Sequence, residues 1–539
     1  MIKMKKTTMA LCLSTITLIA ACGNDNETNE TESEAGTVEE NEQEEATAEE
    51  AEAGGTLNLG YGTNPATLDP HITPHTATRD VSRHVFEQLL AIDEDYEVQP
   101  SLAENFEISD DGLVYTFTLR DNVTFHNGEP MLAEDVVASM DRWLTQSSQG
   151  LANFPDASMI EVDENTVELH LQEATLIGPN ILADVAPLPA IMPKEIAEEA
   201  GTANVSEFIG TGPFQLEEWS IDQYVHLTKF EDYQSPEGEP SGLAGEKEAL
   251  VDEVFFNFIT DASTRVNGIT TGEYDIAFNL PLDSSDQIDA SNGVEPFLSD
   301  GGIMAYVFNN EQGPLSDLTL RQAVNTAVNM NDALMSAYSD DRFYSLDPAL
   351  ANPNQSHWYS EAGAENYNQN DIEAAKELVE QSDYAGEDIV ILATSEVDNL
   401  YNIAIYTQQA LEEIGLNATL SVYDWASFEE ARDNPENFDL FVVDFAVRPT
   451  LHQYPFLSSE SSYPGWTDSE EIDEALQNIT QASSIEDAQP HVDELQQVVW
   501  DYLPISKIGN KQNFVAHRDH IENYRDLIGP VLWNVSKHE

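Results

Sequence analysis

The order of apolar and polar positions already divides the chain into elements. Val114-Tyr115-Thr116-Phe117-Thr118-Leu119 alternates large branched or aromatic residues with smaller ones, the period of a half-buried strand. Asp110-Asp111-Gly112 before it is a tight turn, since glycine takes positive φ without a Cβ clash, so Phe106–Ser109 is the partner strand of a hairpin. After the turn His126-Asn127-Gly128-Glu129-Pro130, the run from Ala133 to Met140 predicts a helix with acidic residues at its positive end. Strands are also predicted at Thr56–Tyr61, within Gln215–Lys229 as a strand-turn-strand, at Val254–Ile259 and near Gly272–Ala277. Helices are predicted at Thr78–Leu90 and Ser263–Ile269. Asn370 is expected to cap a helix, with Glu373 three residues on, that ends near Gly386. Further on, strand Ile389–Ala393, helix Leu400–Ile414 and strand Ala418–Tyr423 argue for a parallel α/β unit.

The first 53 residues follow different rules. Lys3, Lys5 and Lys6 precede a largely apolar run from Thr7 to Ala21, too short to span a bilayer and ordered like a secretory leader. Ile19-Ala20-Ala21-Cys22-Gly23 resembles a bacterial lipobox, which implies that Cys22 is lipidated and becomes the mature N-terminus. The alternative is an ordinary leader with an incidental cysteine. Asn24–Ala53 holds 13 acidic residues and no lysine, arginine or aromatic residue, and is expected to be a disordered, self-repelling tether. With its two cysteines at 12 and 22, the body from Gly54 on has no thiol for a disulfide, a metal or a nucleophile.

Charge narrows the partners. The chain carries 100 acidic side chains against 21 lysines and arginines, for a formal net charge of −79. The body alone has 87 acids to 18 bases, so the acidity is not confined to the tether. Nucleic acid, whose binding needs clustered cations, is excluded as a partner. A solvated acidic surface of halophilic type suits high salt, where counterions screen self-repulsion, and a salt-tolerant or salt-requiring fold is expected.

Chemistry is sparse. His71 and His75 are one helical turn apart, but Pro74 between them argues for loop, and no metal or other cofactor is expected. Gly210-Thr211-Gly212-Pro213-Phe214 lacks the lysine of a phosphate loop, and there is no GxSxG or HExxH pattern. The chain is not expected to be an enzyme. The best place for a ligand is the apolar strand end Phe438–Thr450, which delivers Asp444, Phe445 and Arg448 where α/β folds place their sites. The competing reading of Arg448 is a surface arginine paired with one of the many carboxylates.

The ordered string of Asp-Asp-Gly, a strand ending in Leu119-Arg120, the Phe125-His126-Asn127-Gly128 turn and Ala133-Glu134-Asp135-Val136-Val137 resembles the signature region of family 5 extracellular solute-binding proteins. Gly210–Phe214, Gly272–Ala277 and Leu320–Val324 continue the likeness. The resemblance implies an α/β fold of two lobes, periplasmic-binding-protein-like (type II, cluster C), with central mixed sheets and an extra subdomain in the first lobe. Expected boundaries are leader 1–21, lipidated tether 22–53, first lobe 54–300 with the insert at about 99–205, second lobe 301–505, and a return into the first lobe over 506–539. The crossover is expected near Ser299–Gly302. The resemblance further implies a receptor that captures a small solute, an oligopeptide or dipeptide, with an anionic one favoured by Arg448, and delivers it to ABC permease subunits. It would act as a monomer anchored through Cys22 on the outer face of the cytoplasmic membrane. The alternative is a receptor for a nickel–chelator complex.

In peptide-binding relatives this strand runs into an aromatic residue and then an aspartate that holds the peptide ammonium. Phe445 falls at the first position and Arg448 at the second, which would favour an anion instead. Trp425 matches a cleft tryptophan, with core packing as its rival role. His452 and Tyr454 are candidate hydrogen-bonding residues. Thr67 lies in the loop Asn64–His71, which the family places at the cleft edge.

Overall fold

The computed structural model describes residues 54–538; the leader, Cys22 and the tether lie outside them. The frame is one eleven-stranded sheet. In one half, Thr56–Tyr61 pairs in parallel with Glu253–Phe258 and Ile276–Ala277, and the antiparallel strands Tyr224–Lys229 and Phe214–Ser220 complete the edge. In the other half, Asp388–Thr394 lies parallel between Asn417–Tyr423 and Leu440–Phe445. Helices Ala262–Thr271 and Asp398–Glu413 make the crossovers that parallel pairing requires.

Two long antiparallel strands join the halves: Val294–Phe308 and Ile505–Arg518. The last eight residues of the first, Gly301 to Phe308, are all buried, as expected of a strand covered on both faces. The composition shift at Ser299–Gly302 marks a bulge rather than a break, because the register slips between Asp300 and Gly302 while the strand continues. Gly302 has φ +99°, and a Cβ there would sit 1.9 Å from the carbonyl oxygen of Phe445. No other residue fits so close an approach of two backbones.

An insert follows the first strand of the frame. Its four antiparallel strands run in the order Ala103–Ile108, Val114–Leu119, Thr166–His170, Ser158–Asp163. Alternation turns Tyr115, Phe117, Val167 and Leu169 inward, where they are fully buried. Trp143, on helix Ala133–Gln146, is also fully buried and donates its indole N–H to the Pro187 carbonyl at 3.0 Å. The insert is tied to the body by Arg142, whose guanidinium grips Asp69 through two hydrogen bonds of 3.1 and 2.6 Å.

Most expected elements form where periodicity puts them, with two corrections. The helix expected over Thr78–Leu90 runs from Thr76 to Val85. Glu87 and Gln88 leave it because tertiary partners claim them: Glu87 takes Lys247, Tyr233 and Thr211, and Gln88 donates to Ala183. The later helix starts one residue on, at Ile372, with Asp371 rather than Asn370 capping the Ala374 N–H, and ends at Gln381. Asn370 has φ 49°, outside the extended geometry of an N-cap. Among the described residues no helix is long and apolar enough to cross a membrane.

Candidate functional site

The carboxyl ends of the parallel strands in the two halves meet beside the crossing strands. Asn279–Asp286 follows the Ile276–Ala277 strand, and Glu396–Asn402 follows Asp388–Thr394. With Ala337–Asp340 at the end of helix Met330–Tyr338, they wall a groove of ≈ 1020 Å³ whose floor is Lys511–Phe514. Strand ends leave main-chain groups and short loops free there, which is why α/β ligands collect at such positions.

The walls are amide-rich, with Asn279, Asn399, Asn402, Gln512 and Asn513 as paired donors and acceptors. Acids stand among them at Asp283, Asp286, Asp340, Glu396 and Asp398. Among the described residues Lys511 is the one cationic side chain of the lining. It forms an ion pair with Asp444 and keeps 19% of its side-chain surface exposed. Tyr338 packs into the same wall, where burial pushes its phenol pKa up, Asn399 opposes and the charge of Asp444 adds.

The expected site residues separate into groups. Asp444 belongs to the groove through Lys511. Trp425 is 38% exposed and stacked on Phe428 at 5.5 Å, and its backbone N–H donates to Glu396 of the groove wall at 3.0 Å. Phe445, one residue on from Asp444, points to the opposite face by strand alternation. It is buried against Phe456 at 4.8 Å, Tyr463 at 5.7 Å and Tyr454 at 6.2 Å. Tyr454 is buried too, its hydroxyl reaching the Leu350 carbonyl at 3.5 Å.

Arg448 lies with this second group. Among the described residues its guanidinium has no carboxylate within 4.0 Å. Its carbonyl accepts from Gln355 at 2.7 Å. Its charge is felt by Asp184, whose pKa burial raises while Arg448 and the Gln453 amide at 2.5 Å pull it back. His452 is half-buried: its Nε2 contacts the Leu476 carbonyl and the Thr480 hydroxyl, both at 2.9 Å, and burial lowers its pKa. Thr67 stabilises its own loop, accepting the Asp69 N–H at 3.0 Å and, through its carbonyl, the Thr78 hydroxyl. His71 and His84 are buried apart from each other, His71 against the Ala190 carbonyl and His84 between Asp80 and Leu532. Among the described residues no three His, Cys, Asp or Glu side chains converge to hold a metal ion.

Lys511 and the amides were not singled out from the sequence. The one signal was Asn510-Lys511-Gln512-Asn513, the longest polar run in the strand Ile505–Arg518.

Comparison with known proteins settles the family. Residues 97–466 match the model of bacterial extracellular solute-binding proteins, family 5. The chain belongs to this family. A probable peptide ABC transporter periplasmic-binding protein, y4tO of Sinorhizobium fredii, is 27% identical over 499 residues, covering 88% of this chain and 92% of the relative. The glutathione-binding protein GsiB of Salmonella typhi is 28% identical over 382 residues, 68% of this chain and 69% of the relative. Among solved structures, the binding protein AgaA of A. tumefaciens in complex with agropinic acid aligns with a TM-score of 0.72 at 25% identity, over 90% of this chain and 99% of that one. Family 5 membership makes the protein an extracytoplasmic solute-binding receptor of two lobes, in a family of transport receptors rather than enzymes.

Proposed function

We propose that the protein captures a short peptide between its lobes and hands it to the permease of an ABC importer. The observation that carries this is the groove of ≈ 1020 Å³ bounded by both halves of the sheet and walled by paired amides. Pockets for small ligands run roughly 300–1,000 Å³, so the space suits a solute of several heavy groups rather than a bare ion. Amide side chains hydrogen-bond a peptide main chain without regard to its sequence, and Trp425 offers an exposed aromatic face next to Glu396 of the wall. Relatives named for peptide and for glutathione point to the same class of solute.

In this reading the first lobe spans residues 54–300, the second 301–505, and the remainder returns to the first, with the two long strands as the hinge. Closure about them is the step coupled to binding. Cys22 carries the lipid, and the acidic tether holds the monomeric receptor off the outer face of the membrane; Cys22→Ser should release the protein into the medium.

The test is a thermal-shift screen of the full chain in molar NaCl against di- to pentapeptides, small carboxylic acids, and nickel with and without chelators. A ligand bound only by the folded state raises the midpoint by mass action, stabilising the fold by about 2.7 kcal/mol at a hundredfold excess over Kd. Peptides should shift it. A shift with nickel chelates and none with peptides would replace the reading with the nickel one.

A further inference from the structure

We propose that His452 is an acid-sensitive catch between the insert and the half of the sheet that holds Leu440–Phe445, so that the two lobes part more readily as pH falls. The residue sits in the short turn Leu451–Gln453, on a seam between these two parts. Two hydrogen bonds cross the seam beside it. The Leu176 N–H of the insert donates to the Thr480 carbonyl at 2.8 Å, and the Gln453 amide donates to Asp184 of the insert at 2.5 Å. His452 holds the first acceptor in place, with its Nε2 at 2.9 Å from the Thr480 hydroxyl. Together with Thr480 it also lines a cavity of ≈ 220 Å³ whose remaining walls, between Ala152 and Ile177, belong to the insert.

The partners decide which ring nitrogen carries the proton. The Leu476 carbonyl, 2.9 Å from Nε2, only accepts, so the proton is on Nε2 and Nδ1 presents a bare lone pair. That Nδ1 is shielded from solvent and meets no hydrogen-bond partner among the described residues. Protonating it creates a second N–H with nowhere to donate, the cost of a buried unsatisfied donor. Parting the seam gives that N–H to water, so acid favours the parted state. Burial lowers the His452 pKa while the seam is joined. The advantage of the joined state is therefore complete above the pKa of the solvated ring and is lost as pH falls from there through the lowered one. Neighbouring charges do not reproduce this sign. Glu173, the one carboxylate among the described residues of the cavity lining, is exposed to water, where it stabilises an imidazolium little. Burial raises the pKa of Asp184, against the charge of Arg448, so protonating Asp184 in acid tightens the seam. His357 and Glu97, 3.0 Å apart and also from opposite sides, attract only when the histidine is charged, which again tightens.

The test is hydrogen exchange of the full chain in molar NaCl, without solute. It is read as protection factors over residues 175–184, so that the intrinsic pH dependence of exchange divides out. Wild-type protection should fall about ten- to thirtyfold from pH 7.5 to pH 5, as expected of a ring that titrates near 6.5 once the seam is open. His452→Gln, whose amide can still donate to the Leu476 carbonyl, should abolish that fall. Asp184→Asn should keep it. Wild-type protection that is unchanged or higher in acid overturns the proposal, as does a fall that survives His452→Gln. Should His452→Gln not fold, Asp184→Asn decides: the same fall supports the histidine, and its disappearance assigns the response to the carboxylate and overturns the proposal. The readout needs no solute, so failure here leaves the peptide reading untouched, and a solute of another class leaves the catch untouched.

Discussion

Arg142→Met should destabilise the fold by about 3–5 kcal/mol, the cost of leaving a buried carboxylate without its counter-charge. The magnitude follows from what surrounds Asp69. Its side chain has no exposed surface and that of Arg142 has 3%. Besides the two guanidinium bonds, among the described residues Asp69 accepts only the backbone N–H groups of His71 at 3.1 Å and Val205 at 3.0 Å. Arg142 also donates to the carbonyls of Gly201 at 3.2 Å and Ala203 at 2.8 Å, so the same change frees two acceptors. Burial alone would raise the Asp69 pKa, yet the Arg142 hydrogen bonds and the Val205 N–H hold it below its ordinary value. A carboxylate depressed in the fold contributes stability above its unfolded pKa and loses it as pH falls through the folded one. In the variant that depression is gone, so the gap to wild type should be widest near neutral pH and narrow toward pH 3. Urea unfolding at constant molar NaCl measures it. Asp69→Asn combined with Arg142→Met should recover part of the loss, because no buried charge is then stranded. A loss under about 1 kcal/mol for Arg142→Met, or one that does not shrink in acid, would refute the reasoning.

Two further outcomes follow from charge. Burial pushes Asp439 up to about 6, with the Val390 N–H at 2.7 Å opposing; its contribution is therefore full below the unfolded pKa and lost as pH rises through 6. Asp439→Asn should gain on wild type by up to about 3 kcal/mol between pH 4 and pH 7 in urea titrations, and a constant difference would contradict this. With 87 acids to 18 bases in the body, the melting temperature should rise from low salt to molar NaCl as repulsion is screened, and a flat profile would remove the reading of a salt-adapted surface.

What was legible in the sequence was whatever local pattern decides. The hairpin at Val114–Leu119, the strands at Thr56–Tyr61 and Asp388–Thr394, and the helix opening at Ala133 all follow from periodicity and turn residues. Local pattern failed where distant residues intervene, as at Glu87, which Lys247 and Tyr233 draw out of the helix that precedes it. The site was half legible for the same reason. Asp444 and Phe445 are neighbours in sequence, but strand alternation sends one to the groove and the other into an aromatic cluster. Lys511 was invisible as a groove residue because its place there is set by pairing with Gly302 and Tyr344, both distant in the sequence.

The central claim is that a peptide binds between the lobes beside the crossing strands. Hydrogen exchange of the full chain with and without a saturating dipeptide tests it most directly, because closure should slow exchange only where the walls and floor meet the ligand. New protection is expected at 279–286, 337–340, 396–402 and 511–514, with the insert's four-stranded sheet unchanged. Protection confined to the 445–456 segment, or to the insert, would place the ligand elsewhere and contradict it.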